Sequence, residues 1–246
     1  MREVDSLPSQ SVTKRFEGED WSGAYFHNVD LSGSRIQEGN FDGARFSGFV
    51  GSLTINGFAV WPLIQAELVR LHPEYAELRP DDVPGCRRAL DIVLGQLEQT
   101  IARAAELPDE KRRERVDDEW SALESMRHLV FVIDLWLRTV IRGERDALDP
   151  VGLPNTADAP IDPNADPGFE KVLGAWKGRR EMLRSYVAEV DSAQLDLPPA
   201  TPDYESSIRE ALWVIFEELW WHNQYMARDL AVLAPSGLAG REAGAS

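Results

Sequence analysis

Residues 208–233 read IREALWVIFEELWWHNQYMARDLAVL. Ile208, Ala211, Ile215, Glu218, His222, Tyr225, Asp229 and Val232 succeed one another in alternating steps of three and four residues. That spacing puts them on one face of a helix, the face that meets its neighbours along a single seam. The seam is apolar at its ends, but its middle is Glu, His, Tyr, Asp. Burying a carboxylate and an imidazole is costly unless something compensates their lost hydration. Glu218 and His222 lie one turn apart, so their side chains can converge on one point. The helix is expected over about Tyr204–Leu233.

A second segment, from about Asp118 to Gly143, is apolar on nearly every side: Leu123, Met126, Val130, Ile133 and Leu137, with Phe131, Val132, Leu135 and Trp136 between them. A helix apolar all round is a buried one. His128 sits in its middle, Glu124 stands one turn earlier, and Trp120, Phe131 and Leu135 fall on the same side. Of the four histidines in the chain, two therefore occupy core positions on helices. His128, Glu218 and His222 would make a three-ligand set for a divalent metal, and three protein ligands with one open position are a catalytic zinc geometry. Ligand type suits zinc and leaves nickel, iron and manganese open. The same residues also read as a hydrogen-bonded polar layer without metal, Glu218 accepting from either histidine.

Two further helices complete the set. One runs from about Pro84 to Leu107, with Leu90, Val93, Leu97, Ile101 and Ala104 as its stripe; the other runs from about Pro167 to Val190, with Phe169, Val172, Trp176, Leu183 and Val187 inward. An acidic, proline-rich connection over roughly 144–166 is too long for a tight hairpin and suits a crossover, and residues 194–203 form a Pro-rich loop. The expected fold is mainly α: a four-helix up-down bundle with a long crossover over 81–235. Before it lies a connecting segment, 51–80, with a short helix over Leu63–Leu71; after it comes a flexible tail, 236–246. His72 precedes Pro73 and reads as a boundary residue. Cys86 reads as a small buried side chain.

Upstream of residue 51 the period changes to five. Phe16, Trp21, Phe26, Leu31, Ile36, Phe41 and Phe46 follow without a miss, and Ala24, Val29, Ser34, Gly39 and Ala44 stand two residues before the later ones. Neither a helix nor a flat strand has that period. The pattern resembles the pentapeptide-repeat family, which implies a short right-handed quadrilateral β-helix over 14–50, after a flexible N-terminus, 1–13. In that family four repeats make one turn, so these repeats fall short of two turns. Too short to bury a continuous core, the coil is expected to act as a packing element on the rest of the chain rather than as a DNA mimic. His27 reads as a surface residue.

Composition bounds the function. Lys and Arg total 26 against 42 Asp and Glu, a formal charge of −16, the wrong field for a nucleic-acid or anionic-membrane surface. One cysteine excludes an internal disulfide and a thiolate zinc site. The start, MREVDSLPSQ, has no apolar leader region, and the chain reads as cytoplasmic. A homodimer is left open.

Asp118-Glu119-Trp120-Ser121, Glu124-Ser125-Met126-Arg127-His128-Leu129 and the run from Glu218 to Leu230 resemble the DinB-like superfamily, and more closely those members that carry pentapeptide repeats. The stretch from Ile55-Asn56-Gly57 to Ala66-Glu67-Leu68 resembles their joining segment. The resemblance implies a metal-binding four-helix bundle whose usual ligands are one His on the second helix and an H-x-x-x-H pair on the fourth. Here Glu218 replaces the first member of that pair, as in the branch resembling mycothiol-dependent maleylpyruvate isomerase. It therefore implies His128, Glu218 and His222 as ligands and a small thiol such as mycothiol as cosubstrate, in an S-transferase or isomerase reaction on a small electrophile. In such a reaction Tyr225 would donate to a developing oxyanion, Arg180 would face the pocket and hold an anionic group, and Arg228 would pair with a carboxylate. Glu124 and Asp229 would orient the imidazoles. The competing expectation is a non-catalytic bundle that binds a metal or small ligand.

Overall fold

The structure, a computed structural model, describes residues 14–26, 29–48, 50–155, 159–201 and 207–233. The expectations for His27, for the N-terminus 1–13 and for the tail 236–246 fall outside the described residues. The chain divides into two compact units, Met1–Phe49 and Val50–Ser246.

In the first unit the five-residue period is a period of corners. Positive φ angles occur at Gly18, Gly23, Gly33, Glu38, Gly43 and Gly48. Every second corner is closed by a backbone bond of 3.0 Å: Ala24 N–H to the Trp21 carbonyl, Ser34 to Leu31, Ala44 to Phe41. Asp20, Asp30 and Asn40 brace these corners by accepting from the backbone N–H two residues on, at 3.0, 2.8 and 3.0 Å, the Asx-turn habit. Glu38, at φ 57°, takes a left-handed position where glycine would be unstrained. Phe16 meets Trp21 edge-on at 5.3 Å, and Trp21 stacks on Phe26 at 5.0 Å. The seven side chains at the five-residue spacing nevertheless stay 45–62% exposed. Among the described residues of this unit no strand ladder is present.

The second unit opens with a hairpin, β1 (Thr54–Ile55) against antiparallel β2 (Phe58–Ala59). Asn56 and Gly57, at φ 50° and 82°, make the two-residue turn that matches strand twist. Helix α1 (Trp61–Leu71) follows, then a 3₁₀ segment, Pro73–Leu78. Helix α2 (Val83–Ala105) is capped by Asp82, whose carboxylate accepts from Gly85 N–H at 2.7 Å. Short α3 (Asp109–Arg113) was not expected from the pattern.

Helix α4 (Ala122–Ile133) begins later than the expected Asp118. Asp117 and Asp118 have φ of 53° and 60°, which no right-handed helix admits, and Ser121 with Glu124 forms a reciprocal capping box at its start. Past Ile133 the chain continues in wider π-type turns over Asp134–Ile141. Helices α5 (Phe169–Glu189), α6 (Ser192–Leu195) and α7 (Ile208–Leu233) complete the unit; the expected start of α7 at Tyr204 lies outside the described residues.

Helix α2 packs on α5 and α7, and α4 packs on the same two helices. Leu94, Leu97, Met126, Leu129, Ile133, Leu137, Trp176, Leu183, Phe216 and Trp220 fill the space between them. Truncating one of the aromatic members to Ala would cost about 3–5 kcal/mol. Cys86 is fully buried here, and burial pushes its thiol up to about 11, which leaves it an inert core side chain.

Candidate metal centre

Packing of α4 on α7 carries His128 to the Glu218–His222 turn. His128 is 2% exposed. Its Nε2 lies 3.5 Å from Glu218 Oε2, and His222 Nε2 lies 3.5 Å from the same oxygen. One donor atom from each residue falls within 4.8 Å of the other two.

The donor chemistry tests what such a point can hold. His128 Nδ1 is 2.8 Å from the Leu153 carbonyl. A carbonyl only accepts, so Nδ1 carries the proton, and the Nε2 of a neutral ring turns a lone pair toward Glu218. Burial raises the Glu218 carboxyl; N–H donation and positive charge from the two imidazoles would outweigh it and hold the group at about 2, but a neutral His128 protonated at Nδ1 supplies neither. Burial drives His222 toward its neutral form, Glu218 opposing and His128 adding to the effect. A carboxylate and the His128 lone pair aimed at one point repel unless a cation, or a proton from His222, lies between them. The 3.5 Å separations exceed good N–H···O hydrogen bonds. They match the edge of a tetrahedron, about 3.3–3.6 Å for ligand bonds of about 2.0–2.2 Å. The residues fit a divalent ion.

Aromatic rings wall the site. Trp120 lies 4.8 Å from the His128 ring and stacks on His222 at 5.9 Å and 21°. Phe131 flanks His128 at 5.8 Å, and Tyr225 meets His222 edge-on at 5.8 Å. Glu218 is one-third exposed and Tyr225 slightly more so, so the open side of the site lies along these two residues.

A family model described as the DinB superfamily matches residues 94–226, more than half of the chain and all three converging residues. The chain belongs to the DinB superfamily. That superfamily is typically metal-binding, in keeping with the His/Glu/His cluster. The pentapeptide-repeat model matches residues 15–48 in eight copies. No curated protein and no solved structure shows significant similarity to the chain.

Around the centre of this DinB-superfamily protein the other expected residues divide. Tyr225 borders it. Arg228 lies beside Tyr225, with its guanidinium carbon 5.8 Å from the ring centre, but its Nε donates to Asp229 Oδ1 at 2.7 Å. Asp229 is 1% exposed, and its second oxygen has no hydrogen-bond partner among the described residues; no bond joins it to either imidazole. Glu124 does not orient His128: its carboxylate accepts from Ser121 N–H at 2.9 Å and from Arg115 Nε at 3.0 Å. The Ser-x-x-Glu spacing was the legible signal for that capping role. Arg180 is engaged elsewhere, donating to Glu98 on α2 at 2.9 Å, and the structure does not bring it to the triad. The group that does orient His128, the Leu153 carbonyl, belongs to the crossover and is backbone, so no residue type announces it. The tryptophan that covers both imidazoles, Trp120, was legible only as a neighbour of His128 on one side of a helix.

Proposed function

We propose that His128, Glu218 and His222 hold one divalent metal, zinc foremost, in a four-helix bundle with a long crossover, and that the protein joins a low-molecular-weight thiol such as mycothiol to a small electrophile. The observation that carries the metal is the convergence of one carboxylate oxygen and two imidazole nitrogens within 4.8 Å of one another, with both nitrogen–oxygen separations at tetrahedral-edge spacing and His128 held in the donor tautomer. When bound, such an ion supplies Lewis-acid charge that favours the anionic form of a thiol or water. Glu218 offsets one unit of that charge and the imidazoles none, which leaves the site cationic and attractive to an anion. Trp120 and Phe131 keep water from the imidazoles. Burial first, with Glu119 and Glu218, pushes the Tyr225 phenol up, against the opposing pull of Arg228. Tyr225 therefore stays protonated at neutral pH, fit to donate to an oxygen that gains charge.

The one cysteine does not suit the part of a protein nucleophile. Cys86 is buried on α2, a different helix from those that carry the triad, and its thiol is pushed up to about 11. Among the described residues no helix is long and apolar enough to cross a membrane. For the first unit we propose the short quadrilateral β-helix of pentapeptide repeats. The test is a panel of small thiols and electrophiles offered to the metal-loaded protein, the metal-free protein and His222→Ala. Thiol-dependent turnover confined to the metal-loaded form is the expected result. Metal uptake without turnover by any pair would instead favour a non-catalytic binding bundle.

A further inference from the structure

Arg127 precedes His128 on α4 and is 5% exposed. Its Nε donates to the Val151 carbonyl at 2.9 Å and its Nη2 to the Gly152 carbonyl at 3.1 Å. The next carbonyl in that strip, Leu153, is the one that accepts from His128 Nδ1. The Leu153 N–H returns to the Arg127 backbone carbonyl at 3.2 Å. Three consecutive carbonyls of this strip are thus taken by two consecutive side chains of α4, and the peptide just before the one that orients His128, Gly152–Leu153, is held by Arg127 at both its C=O and its N–H.

We propose that Arg127 is a positioning residue for the metal centre: it clamps the Val151–Leu153 strip against α4 so that Leu153 fixes the tautomer and rotation of His128. A buried guanidinium whose hydrogen bonds go to neutral carbonyls is costly to keep, and here desolvation outweighs the longer-range pull of Glu124, Asp166 and Asp162. Beside a cation site its positive charge is no help to the metal, so its use lies in its shape. The planar fork holds two adjacent carbonyls with two nitrogens in one fixed plane, where an ammonium offers a single nitrogen with rotating donors. Gly152 shows how flush the strip lies. A Cβ there would come within 3.1 Å of the Asp149 carbonyl, 3.2 Å of Phe131 Cβ and 3.3 Å of Ile161 Cδ1. Loosened from α4, the strip would leave Nδ1 without its acceptor. The ring would then exchange tautomers, and the lone pair now aimed at Glu218 would be lost part of the time.

The inference rests on the metal reading above, and its test separates the two. The full chain is compared with Arg127→Lys, Arg127→Met and Gly152→Ala, the last loosening the strip without touching the guanidinium. The first readout needs no metal: imidazole nitrogen NMR of His128 at about pH 8, above the ordinary imidazole range. The second is Co²⁺ affinity by chelator competition, followed in the visible bands of the bound ion. The wild type should show a single tautomer protonated at Nδ1. Each folded variant should show a mixture, together with a loss of Co²⁺ affinity of about 10–100-fold, the usual effect of disturbing a group that orients a metal ligand. If Arg127→Met does not fold, Arg127→Lys and Gly152→Ala still decide. Variants that melt lower but keep the tautomer or the affinity would make Arg127 a structural staple only and overturn the proposal. If the wild type takes up no Co²⁺, the metal reading falls and the tautomer readout alone judges Arg127.

Discussion

Asp134→Ala should be the most destabilising single change in the polar part of this protein. Asp134 is fully buried where α4 passes into the π-type turns. Its Oδ1 accepts from Arg179 Nε at 2.7 Å and Arg138 Nη1 at 3.1 Å, and its Oδ2 from Arg179 Nη2 at 3.1 Å and Asp149 N–H at 3.0 Å. One carboxylate thereby ties the end of α4 to α5 and to the crossover, just ahead of the strip that holds His128. Removing one partner from a buried ion pair costs about 3–5 kcal/mol. Here the lower end applies, because both guanidiniums keep a second carboxylate: Arg179 bonds Asp149 Oδ2 at 3.1 Å and Arg138 bonds Glu144 at 2.7 Å. A loss of about 3 kcal/mol in urea denaturation, and about 6–12 °C in thermal midpoint, is the expected outcome. Asp134→Asn should not rescue it, since in either amide orientation two donors would face the new NH₂ group. Adding Asp149→Ala to Asp134→Ala should cost more than the sum of the two single changes, because each single change leaves Arg179 one carboxylate and the double change leaves it none. A loss for Asp134→Ala under about 1 kcal/mol would refute the reasoning, for it would mean the cluster gains no more than an exposed pair does.

Three other outcomes follow from the same structure. Glu218→Gln keeps the shape of the side chain but removes the only anionic ligand, and should weaken Zn²⁺ binding by at least about 100-fold in chelator competition, about 2.7 kcal/mol; unchanged affinity would place the ion elsewhere. The metal-free protein should lose stability on acidification: the folded pKa of His222 lies below its ordinary 6.5, so the unfolded chain takes up the proton first and ΔG of unfolding falls as pH drops below about 6.5. Thermal melts of the metal-free form between about pH 7.5 and 5 should show this decline, shallower in His222→Gln. Cys86, fully buried with its thiol pushed up to about 11, should resist alkylation in the native protein and react fully in urea; rapid native labelling would contradict its place in the core.

The period of five, the helical stripes and the Glu218–His222 turn are all local. Each depends on residues within one turn or one corner, where chain geometry alone sets the neighbours, so the linear pattern reveals them. The start of α4 was legible too, in Ser121 and Glu124, yet the long apolar run after them drew the expected boundary back to Asp118; two left-handed aspartates decide it instead. His128 stands 90 residues before Glu218, and only the packing of α4 on α7 makes them neighbours. Arg180 and Glu124 carried the right chemistry for a site, but which carboxylate or guanidinium each meets depends on how helices and loops are placed in space, and tertiary structure gave them to Glu98 and Arg115. The acceptor that orients His128 is a carbonyl every residue possesses. By itself the sequence could determine which side chains were costly to bury; only the fold could decide which backbone group would compensate them, because a peptide C=O carries no residue identity until the chain has brought it into reach.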